Sequence, residues 1–297
     1  MGSFRGRANA TSGPEQGQIE PAQLTARCQA RELRLACVDE VQLWPSTLED
    51  VLSTALLLHA GIADSRMWQP QVAALGAAGF DVAAPDLRGF GQRPLGSEPF
   101  AHTRDVEALL DGPTAVVGAS LGGRVALELA VLHPDLVDRL VLIAPGLPGW
   151  AWSDATRAGW GAEEEAFERG DFEAAAEASL RQWIDGPRRA PEDVDPTLRS
   201  VVREMILRSY ELQAGDEPDE QDVLEPPLKE RLGDVRCPTL VIVGDEDIAD
   251  MQGIAAHLAR SIDGARLETV SGASHLPSLE RPDEVNAILV PFLLGRG

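Results

Sequence analysis

Residues 113 to 124 read Pro-Thr-Ala-Val-Val-Gly-Ala-Ser-Leu-Gly-Gly-Arg, and this stretch decides how the rest of the chain is read. Ala115-Val116-Val117 is a short apolar run suited to a buried strand, while Leu121 to Leu132 carries apolar residues at helical spacing. Gly118-Ala119-Ser120-Leu121-Gly122 therefore falls at a strand-to-helix turn. A turn this tight forces the serine into a strained backbone conformation, and side chains at positions 118 and 122 would collide with neighbouring backbone. The serine hydroxyl is then expected to project clear of the sheet, with the next N–H at a helix N-terminus.

On either side of this turn the chain alternates strand and helix. Ala55-Leu56-Leu57-Leu58 is short enough and apolar enough for a central parallel strand. A helix follows, capped by Asp64 or Ser65 and stopped by Gly79. Phe80 to Ala84 is the next strand, Asp105 to Leu110 a short helix, and Val137 to Ile143 the strand after the turn and its helix. Towards the end come a strand at Leu240 to Val243, a helix at Ile248 to Ile262, a strand at Arg266 to Val270, and a closing helix at Pro282 to Leu294 capped near Ser278. Such alternation implies a mostly parallel sheet with helices on both faces. Arg31 to Val38 and Val41 to Trp44 read as a first strand and its antiparallel partner, and residues 1 to 26 as a flexible tail of Gly, Pro, Gln and Ser.

Between Pro145 and about Pro227 the strand pattern gives way to acidic helical segments at 162 to 169, 172 to 183 and 196 to 214. This reads as a helical cap over residues 146–227, inserted after the sixth strand into a core formed by residues 27–145 and 228–297. Trp150, Trp152, Trp160 and Trp183 fall in the cap, where they either fill its interior or line a substrate pocket. The run Glu163-Glu164-Glu165 reads as a solvated face.

Length and charge narrow the function. A chain of 297 residues can bury the core of one large α/β domain with an insertion. A net charge of −22 argues against nucleic acid or an anionic membrane as a partner, because both require a basic face. No apolar run approaches the ~20 residues of a membrane span, and the polar first twenty residues lack the apolar core of a secretory signal. The expected location is the cytoplasm. Cys28, Cys37 and Cys237 lack metal-binding spacing and read as reduced and structural.

Serine is a weak nucleophile at neutral pH and needs a base, which in turn needs a carboxylate to hold its tautomer. With these partners supplied downstream, the chain resembles the α/β-hydrolase superfamily over roughly residues 50 to 295. Gly118-Ala119-Ser120-Leu121-Gly122 matches its G-x-S-x-G nucleophile elbow. Gly244-Asp245-Glu246-Asp247 resembles its strand-end acid motif, which implies Asp247 as the acid, with Asp245 and Asp250 as alternatives. Ser271 to Pro282 looks like its histidine loop, which implies His275 as the base.

His59-Ala60-Gly61 stands where the family has His-Gly, so the resemblance implies an oxyanion hole formed by the N–H of Leu121 with that of Gly61 or Ile62, and His59 as a brace for the loop. Pro85-Asp86-Leu87-Arg88-Gly89-Phe90-Gly91 resembles a supporting loop, with Asp86 and Arg88 structural. The implied activity is that of a serine hydrolase of the esterase and lactonase branch acting on a small-molecule ester or lactone. C–C bond hydrolysis, cofactor-free peroxidase-like chemistry and a receptor that keeps the fold are the alternatives. No dinucleotide, P-loop or zinc-protease motif is present, so neither cofactor nor metal is expected.

Overall fold

The computed structural model describes residues 53–214, 218, 220, 221 and 223–296. The tail, the two strands expected before residue 45, Cys28 and Cys37 lie outside the described residues. Among the described residues, six strands form one parallel sheet: β1 (Ser53–Leu58), β2 (Phe80–Ala83), β3 (Thr114–Ala119), β4 (Val137–Ile143), β5 (Thr239–Gly244) and β6 (Arg266–Val270), in the order β2-β1-β3-β4-β5-β6. The expected parallel α/β sheet is thus present.

Burial follows the period of two that a strand imposes. Leu57, Val117, Val141, Ile143 and Ile242 join one apolar cluster, and their neighbours Leu56, Leu58, Val116, Leu142 and Val243 join the other. Helices cover both faces. Those at Gln69–Ala77 (α1) and Pro282–Leu293 add Leu75, Val285 and Leu289 to the first cluster, and those at Leu121–Leu132 (α3) and Ala249–Ser261 add Val125, Leu129, Ile254 and Leu258 to the second. The helix at His102–Glu107 (α2) begins three residues before the expected start.

Local chemistry sets several boundaries. Asp64 accepts from the N–H of Arg66 and caps a 3₁₀ turn at Ser65–Trp68, which runs into α1, where Pro70 sits in the first turn and its missing N–H costs nothing. In the helical insertion between β4 and β5, Ser153 caps α4 (Asp154–Glu168), Asp171 caps α5 (Phe172–Leu180), and Asp195 with Pro196 starts α6 (Pro196–Gln213). The first of these starts eight residues earlier than the apolar spacing suggested, because the Ser153 cap and Asp154 open a helix whose first turns are polar. The closing helix starts at Pro282 with Arg281 before it, and Ser278 lies instead inside a short separate helix, Pro277–Glu280. Leu180, Ile184, Val202 and Met205 continue the first apolar cluster into the insertion, so these helices share the interior of the sheet domain.

Parallel pairing brings the carboxyl ends of the strands level. Leu58 lies opposite Gly118, Ala119 opposite Ile143, Ile143 opposite Ile242, and Gly244 opposite Val270. The loops leaving β1, β3, β5 and β6 therefore open on one edge of the sheet, where open α/β sheets bind ligands. One of these joints is very close at Gly122, where an added Cβ would lie 2.2 Å from the carbonyl oxygen of Leu58. We expect Gly122→Ala to lower the free energy of unfolding by about 2 kcal/mol or more, since rigid backbone must move to admit the methyl group. Urea unfolding measures it, and a variant within experimental error of the native protein would contradict the close packing described.

Candidate active site

Ser120 stands between β3 and α3 with φ 48° and ψ −109°. Non-glycine residues in such a region cost about 1–3 kcal/mol and persist only when their surroundings fix them. Here the N–H of Ser120 donates to Ile143 at 2.9 Å, and its carbonyl accepts from Arg124 and Gly146 at 3.0 Å each. On the helix side, Gly122 donates to the carbonyl of His59 at 3.0 Å. A Cβ on Gly118 would lie 2.2 Å from the oxygen of Gly122, so both flanking glycines are sterically required, as the sequence implied.

The loop after β1 is held by His59, which is fully buried. Its Nε2 accepts from the N–H of Leu87 at 2.8 Å, so Nδ1 carries the hydrogen and donates to the carbonyl of Ala60 at 2.9 Å. Burial pushes its pKa down and keeps the ring neutral. Ala60 stands where the resembling family has glycine, yet its φ is not positive, so a Cβ brings no backbone strain. Its N–H points at the sulfur of Met67, 3.4 Å away. Among the described residues the N–H groups of Gly61, Ile62 and Leu121 have no acceptor, and all three residues line the cavity that contains Ser120. Asp86 bonds the N–H groups of Ser65 and Gln92 at 2.8 Å each, and Arg88 forms a two-pronged pair with Asp105 at 2.9 Å, so both tie down the neighbouring loop.

Of the three carboxylates considered after β5, Asp247 meets the histidine. Its Oδ2 lies 2.9 Å from Nδ1 of His275, and its Oδ1 accepts from the N–H of Ile248 at 2.8 Å. Both side chains are almost wholly buried. A carboxylate can only accept, so Nδ1 carries the hydrogen, and in the neutral ring the lone pair is on Nε2. Asp245 instead joins the two loops, accepting from Ser271 Oγ at 3.0 Å and from the N–H of Gly272 at 2.7 Å. Asp250 accepts from Trp150 and from Ser153, fastening the start of α4. The loops after β5 and β6 touch backbone to backbone: a Cβ on Gly244 would lie 2.1 Å from the oxygen of Ala273.

Ser120 and His275 line one cavity of about 560 Å³, a size suited to small molecules. Part of its lining comes from the helical segment between β4 and β5. Trp152, Trp160 and Trp183 line it, whereas Trp150 lies outside it, packed over His257 with ring centroids 5.8 Å apart. Trp183 lies against His275, with ring centroids 4.4 Å apart. It sits in a wide π-type turn, Arg181–Asp185, whose fully buried Asp185 is gripped by Arg199 at 2.9 and 3.0 Å and by Arg181 at 2.9 Å. From that turn the carbonyl of Trp183 accepts from the N–H of His275 at 3.2 Å and from Ser274 Oγ at 2.9 Å.

Sequence reasoning missed Arg124, Glu163, Phe167 and Tyr210, which also line the cavity. Glu163 was expected on a solvated face, but it is half-buried and accepts a hydrogen bond of 2.5 Å from the Tyr210 hydroxyl. Burial pushes the Glu163 carboxyl above the usual carboxylate range, and burial with the adjacent Glu163 pushes the Tyr210 phenol up as well. A signal was available: Trp160, Glu163 and Phe167 follow the i, i+3, i+7 spacing of one helix face.

No described helix is long and apolar enough to cross a membrane. The chain is 27% identical over 258 residues to a pimeloyl-[acyl-carrier protein] methyl ester esterase of Neisseria meningitidis serogroup C, an alignment that covers 84% of this chain and 96% of the relative. It is 29% identical over 258 residues to the carboxylesterase YbfK of Bacillus subtilis, covering 81% of this chain and 80% of the relative. Among solved structures it is similar to the enol-lactonase from Burkholderia xenovorans LB400, with a TM-score of 0.67 and 25% identity over 86% of this chain and 96% of that one. The family model described as the alpha/beta hydrolase family matches residues 55–288, and the chain belongs to that family.

Proposed function

We propose that the protein is a serine hydrolase that cleaves a small-molecule carboxylic ester or lactone through an acyl-enzyme on Ser120. The observation that carries this reading is the buried 2.9 Å contact between His275 and Asp247, with His275 lining the same cavity as a strained serine at a strand-to-helix turn. The relatives named as a methyl ester esterase, a carboxylesterase and an enol-lactonase support the substrate class.

In the proposed reaction Ser120 Oγ attacks the carbonyl carbon while its proton passes to Nε2 of His275. Asp247 stabilises the resulting imidazolium and keeps Nδ1 protonated. The tetrahedral oxyanion is stabilised by the N–H of Leu121, aided by the helix N-terminus behind it, and by that of Gly61 or Ile62. Collapse breaks the bond to the leaving oxygen, which takes the proton from His275. In a lactone that oxygen stays tethered to the acyl group. Water, deprotonated by His275, then attacks the acyl-enzyme, releasing the acid and restoring Ser120. The helices within residues 146–227 act as a cap that shapes access to the serine.

Two experiments test this reading. A fluorophosphonate should label the native protein at Ser120, and Ser120→Ala should lose both the label and the acyl burst with an activated acetate ester. Steady-state kcat in that variant should fall roughly 10³-fold or more. An unlabelled native protein would leave a receptor that merely keeps the fold. For the acid, Asp247→Asn should lower kcat by roughly 10³-fold or more, because an amide no longer fixes the imidazole tautomer or stabilises its charge. Asp245→Asn should cost at least about tenfold less than Asp247→Asn, since Asp245 bonds loop groups and not the ring. The reverse order of losses would move the acid to Asp245.

A further inference from the structure

The cavity over Ser120 is unevenly charged. Among the described residues, the one guanidinium that lines it, that of Arg124, is already engaged, by Glu128 at 3.3 Å and by Glu220. Glu163, by contrast, lines the cavity with no cationic partner among the described residues: its carboxyl meets only uncharged hydroxyls, that of Tyr210 at 2.5 Å and that of Ser179. Glu164 adds a second carboxylate at the exposed edge.

Around these carboxylates the lining is aromatic. Trp152 and Trp160 meet edge to face with centroids 4.8 Å apart, Trp160 and Trp183 lie 6.4 Å apart, and Phe167 meets Tyr210 edge to face at 5.2 Å. Several aromatic rings around one cavity with an unpaired carboxylate make an environment that attracts an organic cation: the rings offer their negative faces and little competing hydration, and the carboxylate supplies the counter-charge. An anionic substrate group would meet the opposite, because the guanidinium of Arg124 is already paired with two carboxylates and the carboxylates in the lining repel it. The net charge of −22 adds a field of the same sign, which draws cations towards the protein.

We propose that this cavity selects esters bearing an alkylammonium group, held among Trp152, Trp160, Phe167 and Tyr210 with Glu163 as its counter-ion. The assignment rests on the hydrolase reading above for turnover, but the binding site itself does not require it. Glu163 acts as a specificity residue and takes no part in bond making.

The test uses three acetate esters of similar size: that of choline, that of 3,3-dimethylbutanol, which has the same shape without the charge, and that of a carboxylate-bearing alcohol. The choline ester should exceed its neutral isostere in kcat/KM by about tenfold, mainly through KM, and the anionic ester should be poorest. Glu163→Gln, which keeps the shape of the side chain, should bring the ratio of cationic to neutral ester close to one. Trp152→Leu should also lower it. Glu165→Gln, exposed on the same helix, should leave the ratio as it is in the native protein. A native ratio of one or below, a ratio that Glu163→Gln does not change, or a preference for the anionic ester would overturn the proposal.

Binding is measured separately, by titrating Ser120→Ala with tetramethylammonium and following tryptophan fluorescence. A saturable change, weakened by adding Glu163→Gln and missing with tert-butanol, is expected. If no ester is hydrolysed by the native protein, the catalytic reading fails while this binding result upholds the cation site. Absence of saturable binding overturns the site whatever the esters do.

Discussion

The close approach of Gly122 to the end of the first strand is the constraint on which the rest of this molecule depends. With hydrogen in place of a side chain, the first turn of the helix after Ser120 moves in until its N–H reaches the carbonyl of His59. That contact fixes the separation between the loop carrying Gly61 and Ile62 and the helix N-terminus carrying the N–H of Leu121. It also explains why the strain at Ser120 is tolerated. The serine is bonded through its own N–H to β4 and through its carbonyl to Arg124 and Gly146, so relaxing its φ would break three backbone hydrogen bonds.

A second constraint holds the other half of the site. His275 is fastened to Asp247 through its ring and to Trp183 through its main chain, and Trp183 sits on a turn whose Asp185 is buried between two arginines. A buried carboxylate left with too few partners is costly, so Asp185 resists displacement from Arg199 and Arg181. The turn is thereby held against the histidine loop, and position is transmitted from the insertion to the ring that, in the proposed reaction, moves the proton.

The sheet was legible in the sequence because each strand is a short apolar run bounded by turn residues, and the parallel order followed from the intervening helices. The elbow was legible because two glycines and a serine at fixed spacing have few other physical uses between a strand and a helix. The choice among Asp245, Asp247 and Asp250 was not, since all three lie within six residues and only the fold of the loop turns Asp247 towards His275. The acidic run Glu163-Glu164-Glu165 misled for a related reason. A charge run suggests solvent, yet successive helical residues differ by about 100°, so the first member faces the cavity while the third faces water. Trp150 illustrates the same limit. Its composition matched that of the other tryptophans, but its indole N–H is claimed by Asp250.

The strand-end loops and the helices between β4 and β5 place their groups by different physical means. Strand ends and their loops place groups by backbone hydrogen bonds, which tolerate little variation; this suits the proposed reaction, in which a serine, a histidine and two or three N–H donors must meet one carbonyl. The helices of the insertion place groups by side-chain packing, which tolerates substitution as long as volume is kept. Rings and a carboxylate delivered on such helices can change what enters the cavity without disturbing the groups beneath. Trp183 belongs to both sets: its indole lines the cavity and also packs against the ring of His275, with centroids 4.4 Å apart, so exchanging it for selectivity would disturb the histidine as well.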